Sequence, residues 1–78
     1  MYYDRVEWDE FNEDHALKRA TQQEIEQVIE NAATARPHNE FANRVVFIDH
    51  TNGGKRLLVI AAYYEIRDVI RPITAWEV

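Results

Sequence analysis

The sequence predicts an α+β domain: two N-terminal helices packed on one face of a mainly antiparallel sheet of four to five strands. Three observations carry this prediction. The stretch Lys55–Trp76, KRLLVIAAYYEIRDVIRPITAW, opens with an unbroken apolar run from Leu57 to Tyr64 and closes with a stretch rich in β-branched and aromatic residues. Arg44–Asp49, RVVFID, alternates, with Val45 and Phe47 on one face and Val46 and Ile48 on the other. Thr21 and Glu24 form a capping box, and Ile25, Val28, Ile29 and Ala32 follow at the spacing of a helical stripe.

Each element follows in chain order. Tyr2–Trp8 alternates weakly and reads as a short strand. Asp9 is placed as an N-cap, with Glu10, Glu13 and Asp14 in the first turn where carboxylates suit the positive end of the helix dipole, so a helix is expected from Glu10 to about Arg19. Trp8, Phe11 and His15 share one side of it, while Ala16, Leu17 and Ala20 scatter. Ala20 and Thr21 make a short link to the second helix. Ala33–His38 reads as a short edge strand ended by Pro37, and Asn39–Ala42 as a loop. His50–Gly54, with Asn-Gly and a second glycine, supplies the turn before the long strand.

The Leu57–Tyr64 run has the length of a strand covered on both faces, although a run this short also suits a buried helix. Pairing with Val69–Trp76 as a hairpin favours the strand. Leu58 and Ile60 are the expected contacts of the Ile25, Val28 and Ile29 stripe. Glu65–Asp68 lacks glycine, which indicates a loop of about four residues rather than a tight primed turn. Pro72 cannot donate to a ladder, so its strand is either an edge at that point or bulged.

Composition bounds the function. The 78 residues form one domain, 1–78, with no cysteine and hence no disulfide or thiolate zinc site. No apolar run approaches the roughly 20 residues of a membrane span, and Met1–Asp4 lacks the order of a signal peptide. A soluble, cytoplasmic protein without a membrane partner is expected. The net charge of -5 is uneven: residues 1–30 hold nine acids and three bases, residues 31–78 five acids and six bases. An acidic helical layer beside a mildly basic sheet suits a surface that meets phosphate, and it also describes ordinary solvated charge.

Strong catalytic signatures are absent: there is no phosphate loop, nucleophile elbow or metal-spaced histidine cluster, and no cofactor or metal is expected. Asn12, His15 and Arg19 fall at i, i+3 and i+7 on one helical face. His15 there suits proton transfer, or packs half-buried on Trp8. Arg44, Arg56 and Arg71 lie on segments expected to be sheet neighbours, where guanidinium groups converging on a face grip a phosphate and stabilise a phosphorane. The commoner fate of such arginines is pairing, here with Glu40, Glu65 or Asp68. Tyr63 and Trp76 add aromatic area of the kind that anchors a partner.

Trp8-Asp9-x-x-Asn12-x-x-His15, then Arg19-Ala20-Thr21 and a Glu/Ile/Val helix, resembles the opening of BrnT-type toxins. There a WDxxNxxH stretch leads to a His-Gly-(Val/Ile)-(Ser/Thr) junction. Later segments agree in order: Arg44 with a β-branched strand, Thr51–Gly54 like a "GRTxxGR" turn, and Arg71-Pro72-Ile73-Thr74-Ala75 like a closing "R(V/P)I(T/S)AR". The chain departs from the pattern at Arg19-Ala20, at His50, where an arginine is usual, and at Trp76, which follows Thr-Ala in place of arginine. The resemblance implies a RelE-like fold and a metal-independent endoribonuclease, the toxin of a type II toxin–antitoxin pair that inhibits translation and growth. It implies His15 as acid or base, with Arg44, Arg56 and Arg71 as phosphate-side cations. Arg19, His50 and Lys55 are further expected RNA contacts. The implied partners are RNA and a cognate antitoxin, as a homodimer or a hetero-oligomer with the antitoxin. The alternative is a non-catalytic module of the same fold that binds protein or RNA through Tyr63 and Trp76.

Overall fold

The computed structural model describes residues 3–78. Two helices, α1 (Glu10–Ala16) and α2 (Gln22–Asn31), accompany a five-stranded sheet of β1 (Arg5–Val6), β2 (Arg36–Pro37), β3 (Arg44–His50), β4 (Arg56–Tyr64) and β5 (Val69–Glu77). Spatial order is β1-β5-β4-β3-β2. The last four strands form the expected antiparallel meander, but β1 joins β5 in parallel, so the sheet is mixed. Tyr2, the start of the strand expected over Tyr2–Trp8, lies outside the described residues; the observed strand is shorter.

Helix α1 is capped by the Asp9 carboxylate, which accepts from the Phe11 and Asn12 N–H groups, while Asn12 Oδ1 accepts from the Asp9 N–H at 2.7 Å. The helix stops at Ala16, short of the expected Arg19. Its buried residues are Asn12 and Ala16, one turn apart, and Phe11 is 74% exposed. Phe11 and His15 are both exposed, so His15 does not pack half-buried on Trp8, which itself packs against the core ahead of the helix; small Ala16 lets the helix approach the sheet, and Asn12 is spent on the cap. Helix α2 forms as expected, with its Thr21/Glu24 box closed and Ile25, Val28 and Ile29 buried.

The parity of β4 corrects an expectation. Val59 pairs with Phe47 and Ala75, and these residues share the core with Leu57, Ala61 and the α2 stripe. Leu58 and Ile60 therefore point to the other face. A strand apolar on both sides carries no alternation to set its phase; its neighbours set it, through Phe47 on β3 and small Ala75 on β5.

Two turns hold the meander. Thr51 is buried and its Oγ1 accepts from the Lys55 N–H at 3.1 Å, while Gly54 at φ 92 takes the left-handed position. Asn31 ties α2 to this turn, donating to the His50 carbonyl at 2.9 Å. In the β4–β5 turn Asp68 stands at φ 52 and accepts from the Tyr63 hydroxyl at 2.7 Å. Asp is among the few non-glycine residues that take this conformation readily.

At Pro72 both expectations hold. Ile60 pairs with Thr74 but Ala61 with Pro72, so Ile73 is the extra residue of a bulge. On the other side, the Glu7 N–H donates to the Ile70 carbonyl at 2.8 Å, and the next rung needs an N–H from residue 72, which proline lacks. The Glu7 carbonyl instead accepts from Asn12 Nδ2 at 3.0 Å. One proline thus ends the β1 strand, and one asparagine closes the gap from the first turn of α1.

Candidate functional site

Cross-strand register builds the site. Arg44 pairs with Ala62, and Ala62 with Arg71, so the two arginines flank a buried alanine on the sheet face opposite the α2 stripe. Asn12 and His15 of α1 meet this row. Together with Phe11, Asn43, Tyr64, Pro72 and Ile73 they line a groove of about 280 Å³. Residues far apart in sequence, His15, Arg44 and Arg71, therefore share one concavity.

The two arginines differ in state. Arg71 donates to Glu7 Oε1 at 2.9 Å and to Asp9 Oδ2 at 2.7 Å. Its guanidinium lowers the pKa of both carboxyls, that of Asp9 helped further by the Asn12 and Phe11 N–H groups, and the two carboxylates raise its own. Glu7 also meets Arg5 and Arg67, each at 3.3 Å. Arg44 has no carboxylate partner among the described residues; its guanidinium lies 4.1 Å from the centroid of the Phe41 ring.

The remaining expected residues lie elsewhere. Arg56 is not in the groove: register pairs it with His50, six residues along β4 from Ala62 and hence about 20 Å away. Arg44 and Arg56 both flank the Asn-Gly turn in sequence, but antiparallel residues meet only when equidistant from the turn. His50 is exposed, its Nδ1 3.7 Å from Asp49 Oδ1. Lys55 turns toward α2 and pairs with Glu24 at 3.4 Å. Arg19, past the end of α1, is exposed and outside the groove. Tyr63 is half-buried on the helix side with its hydroxyl on Asp68, whereas Trp76 is half-buried on the opposite face, so they do not form one surface.

The sequence places Phe11 beside His15 but gives no pointer to Asn43 and Tyr64 in the groove, and Glu7 and Asp9 on Arg71 were not among the expected partners. The two acids had a signal, since alternate residues leading into a cap point to one side of the chain. Among the described residues no three His, Asp or Glu side chains are grouped as a metal would need, and no helix is long and apolar enough to cross a membrane. Compared with protein-family models, with curated proteins and with solved structures, the chain matches none.

Proposed function

We propose that the chain is a RelE-like, BrnT-type toxin: a metal-independent endoribonuclease of the cytoplasm, held in check by a cognate antitoxin. The observation that supports this reading is the groove, in which a histidine and two arginines of separate segments meet. In the proposed reaction an RNA 2′-oxygen bonds to its neighbouring phosphorus, the bond to the 5′-oxygen breaks, and a 2′,3′-cyclic phosphate and a 5′-hydroxyl result. His15 takes the 2′-hydroxyl proton or delivers one to the leaving 5′-oxygen, since histidine exchanges protons near neutral pH. Arg44 meets the charge that grows on the phosphorane oxygens. Arg71, neutralised by Glu7 and Asp9, offers its remaining N–H groups at the edge of the groove.

His15→Ala is expected to slow cleavage of a single-stranded RNA by about 10²–10⁴ with little change in affinity. Arg44→Ala weakens both, and chelators change neither. Purified protein that leaves several RNAs intact, or His15→Ala as active as the parent, overturns the reading. One observation favours a second reading, a non-catalytic binding module: with Arg71 neutralised, Arg44 is, among the described residues, the single arginine of the groove without a carboxylate partner. A chain that binds RNA and does not cut it supports that alternative.

A further inference from the structure

Away from the groove, the sheet face opposite the α2 stripe holds a second concavity, about 350 Å³, lined by Val46, Ile48, Leu58, Ile60 and Trp76 beside Arg36, Pro37, His38 and Asn39. Its floor is apolar, with one indole; Arg36 is the cation of its lining, and Arg56 stands two residues along β4 from Leu58 on the same face. Register places Arg36, Arg44, Arg56, Arg71 and His50 on this face, and no carboxylate of β2–β5 shares it. Glu7 and Asp9 reach in only at Arg71. A second copy of the chain docked face to face would set arginine against arginine. The complementary ligand is an anion that carries flat apolar rings, which is an unpaired nucleotide.

We propose that this concavity is a base-stacking subsite for single-stranded RNA, with Trp76 as its platform and Arg36 and Arg56 as its phosphate contacts. The inference rests on the ribonuclease reading for its choice of nucleic acid, and it extends that site along the strand. Trp76 pairs with Leu58, four residues along β4 from Ala62, so the subsite lies about 13 Å from the groove, within the span of a few linked nucleotides. Ile60 and Val46, cross-strand partners, floor the path between. Duplex RNA is excluded because its bases are already stacked on one another and its edges alone face outward.

The test is binding of a fully 2′-O-methylated hexanucleotide, which blocks 2′-oxygen attack and so separates affinity from cleavage. Trp8 and Trp76 are the two tryptophans, and quenching of their fluorescence reports the contact. The hexanucleotide is expected to quench the parent, and Trp76→Phe, which removes the Trp76 signal and keeps a ring, to reduce quenching while anisotropy shows affinity within about threefold. Trp76→Ala, with its fold checked by circular dichroism, is expected to lose about tenfold or more in affinity. A dinucleotide, too short to engage both sites, is expected to bind more weakly than the hexanucleotide to the parent, and that advantage of length disappears in Trp76→Ala. Arg56→Gln is expected to flatten the salt dependence by about 0.7 in log–log slope. The proposal is overturned if Trp76→Ala binds the hexanucleotide as the parent does, or if a hexaglutamate peptide competes with it at equal concentration, which would mark a general polyanion surface. If the hexanucleotide binds through Trp76 and unmodified RNA is not cut, the subsite stands and the ribonuclease reading falls. If RNA is cut and Trp76 plays no part in affinity, the subsite falls and the ribonuclease reading stands.

Discussion

The helix-covered face of the sheet buries Phe47, Leu57, Val59 and Ala75 completely or nearly so, while the other face leaves Val46, Ile48, Leu58, Ile60 and Trp76 half exposed. The two sets alternate along the same strands and differ little in hydrophobicity. What separates them is coverage. Helix α2 crosses β3 and β4 and α1 meets β5, and the charge pattern follows: most of the acids of residues 1–30 lie on the helices, the strand arginines on the uncovered face. An apolar surface left uncovered, with arginines on the same face, has the composition that the proposed subsite requires.

Neighbouring leucines offer the largest test of this comparison. Leu57 is fully buried and Leu58 is not, although both stand in one strand. Leu57→Ala is expected to cost about 2–5 kcal/mol, and Ile29→Ala on the facing helix a similar amount, which is enough to unfold a domain of this size. Leu58→Ala is expected to cost about 1 kcal/mol, because much of its surface meets water already. Urea titration measures both. Equal losses would show that the uncovered face is as structural as the covered one, and would leave the subsite without its physical basis.

The same leucines mark the limit of what the sequence makes legible. The hairpin, the β3 strand, the α2 capping box and the bulge or edge at Pro72 can all be read locally, because each is written in residues a few positions apart. The phase of β4 cannot, since LLVIAAYY suits either parity until Phe47 and Ala75 choose one. The early end of α1 is tertiary too: Ala16 and Ala20 are both buried, and the chain turns between them to reach α2. In the candidate site, His15, Arg44 and Arg71 were readable as residue types, but the exclusion of Arg56 needed the register and the saturation of Arg71 needed the path of β1. In the aromatic lining, Phe11 is legible on the His15 side of α1 by its spacing, whereas Tyr64 needed the β4 register.

A smaller effect separates the two capping boxes. Asn12 is buried and serves three bonds, two within the box and one to the orphaned Glu7 carbonyl, whereas the Thr21/Glu24 box lies at the surface. Asn12→Ala is expected to cost about 1–3 kcal/mol, since it strands a carbonyl that Pro72 cannot serve. Thr21→Ala is expected to cost about 1 kcal/mol. Thermal melts of the two variants decide the order; a reversed order would mean that water satisfies Glu7 and that the Asn12 link does not fix α1 to the sheet edge.

The smallest effect concerns Arg71, which belongs to the uncovered face by register but is claimed by the helical side through Glu7 and Asp9. Both carboxyls titrate below their ordinary values, 4.5 for Glu7 and 3.8 for Asp9, chiefly because the Arg71 guanidinium hydrogen-bonds to the ionised form. A folded-state value held below the unfolded one adds stability that is fully present above pH 4.5 and drains away as the pH falls through the lowered values. The parent is therefore expected to lose stability from about pH 4.5 downward more steeply than Arg71→Gln, in which neither carboxyl has that partner. The difference is expected to shrink in 1 M salt, because these groups stand partly in solvent and screening weakens them. Urea midpoints between pH 7 and pH 3 read the two slopes. Parallel acid limbs would mean that Arg71 is not held by Glu7 and Asp9 in solution, which would return it to the groove as a second phosphate-side cation and strengthen the catalytic reading over the binding module.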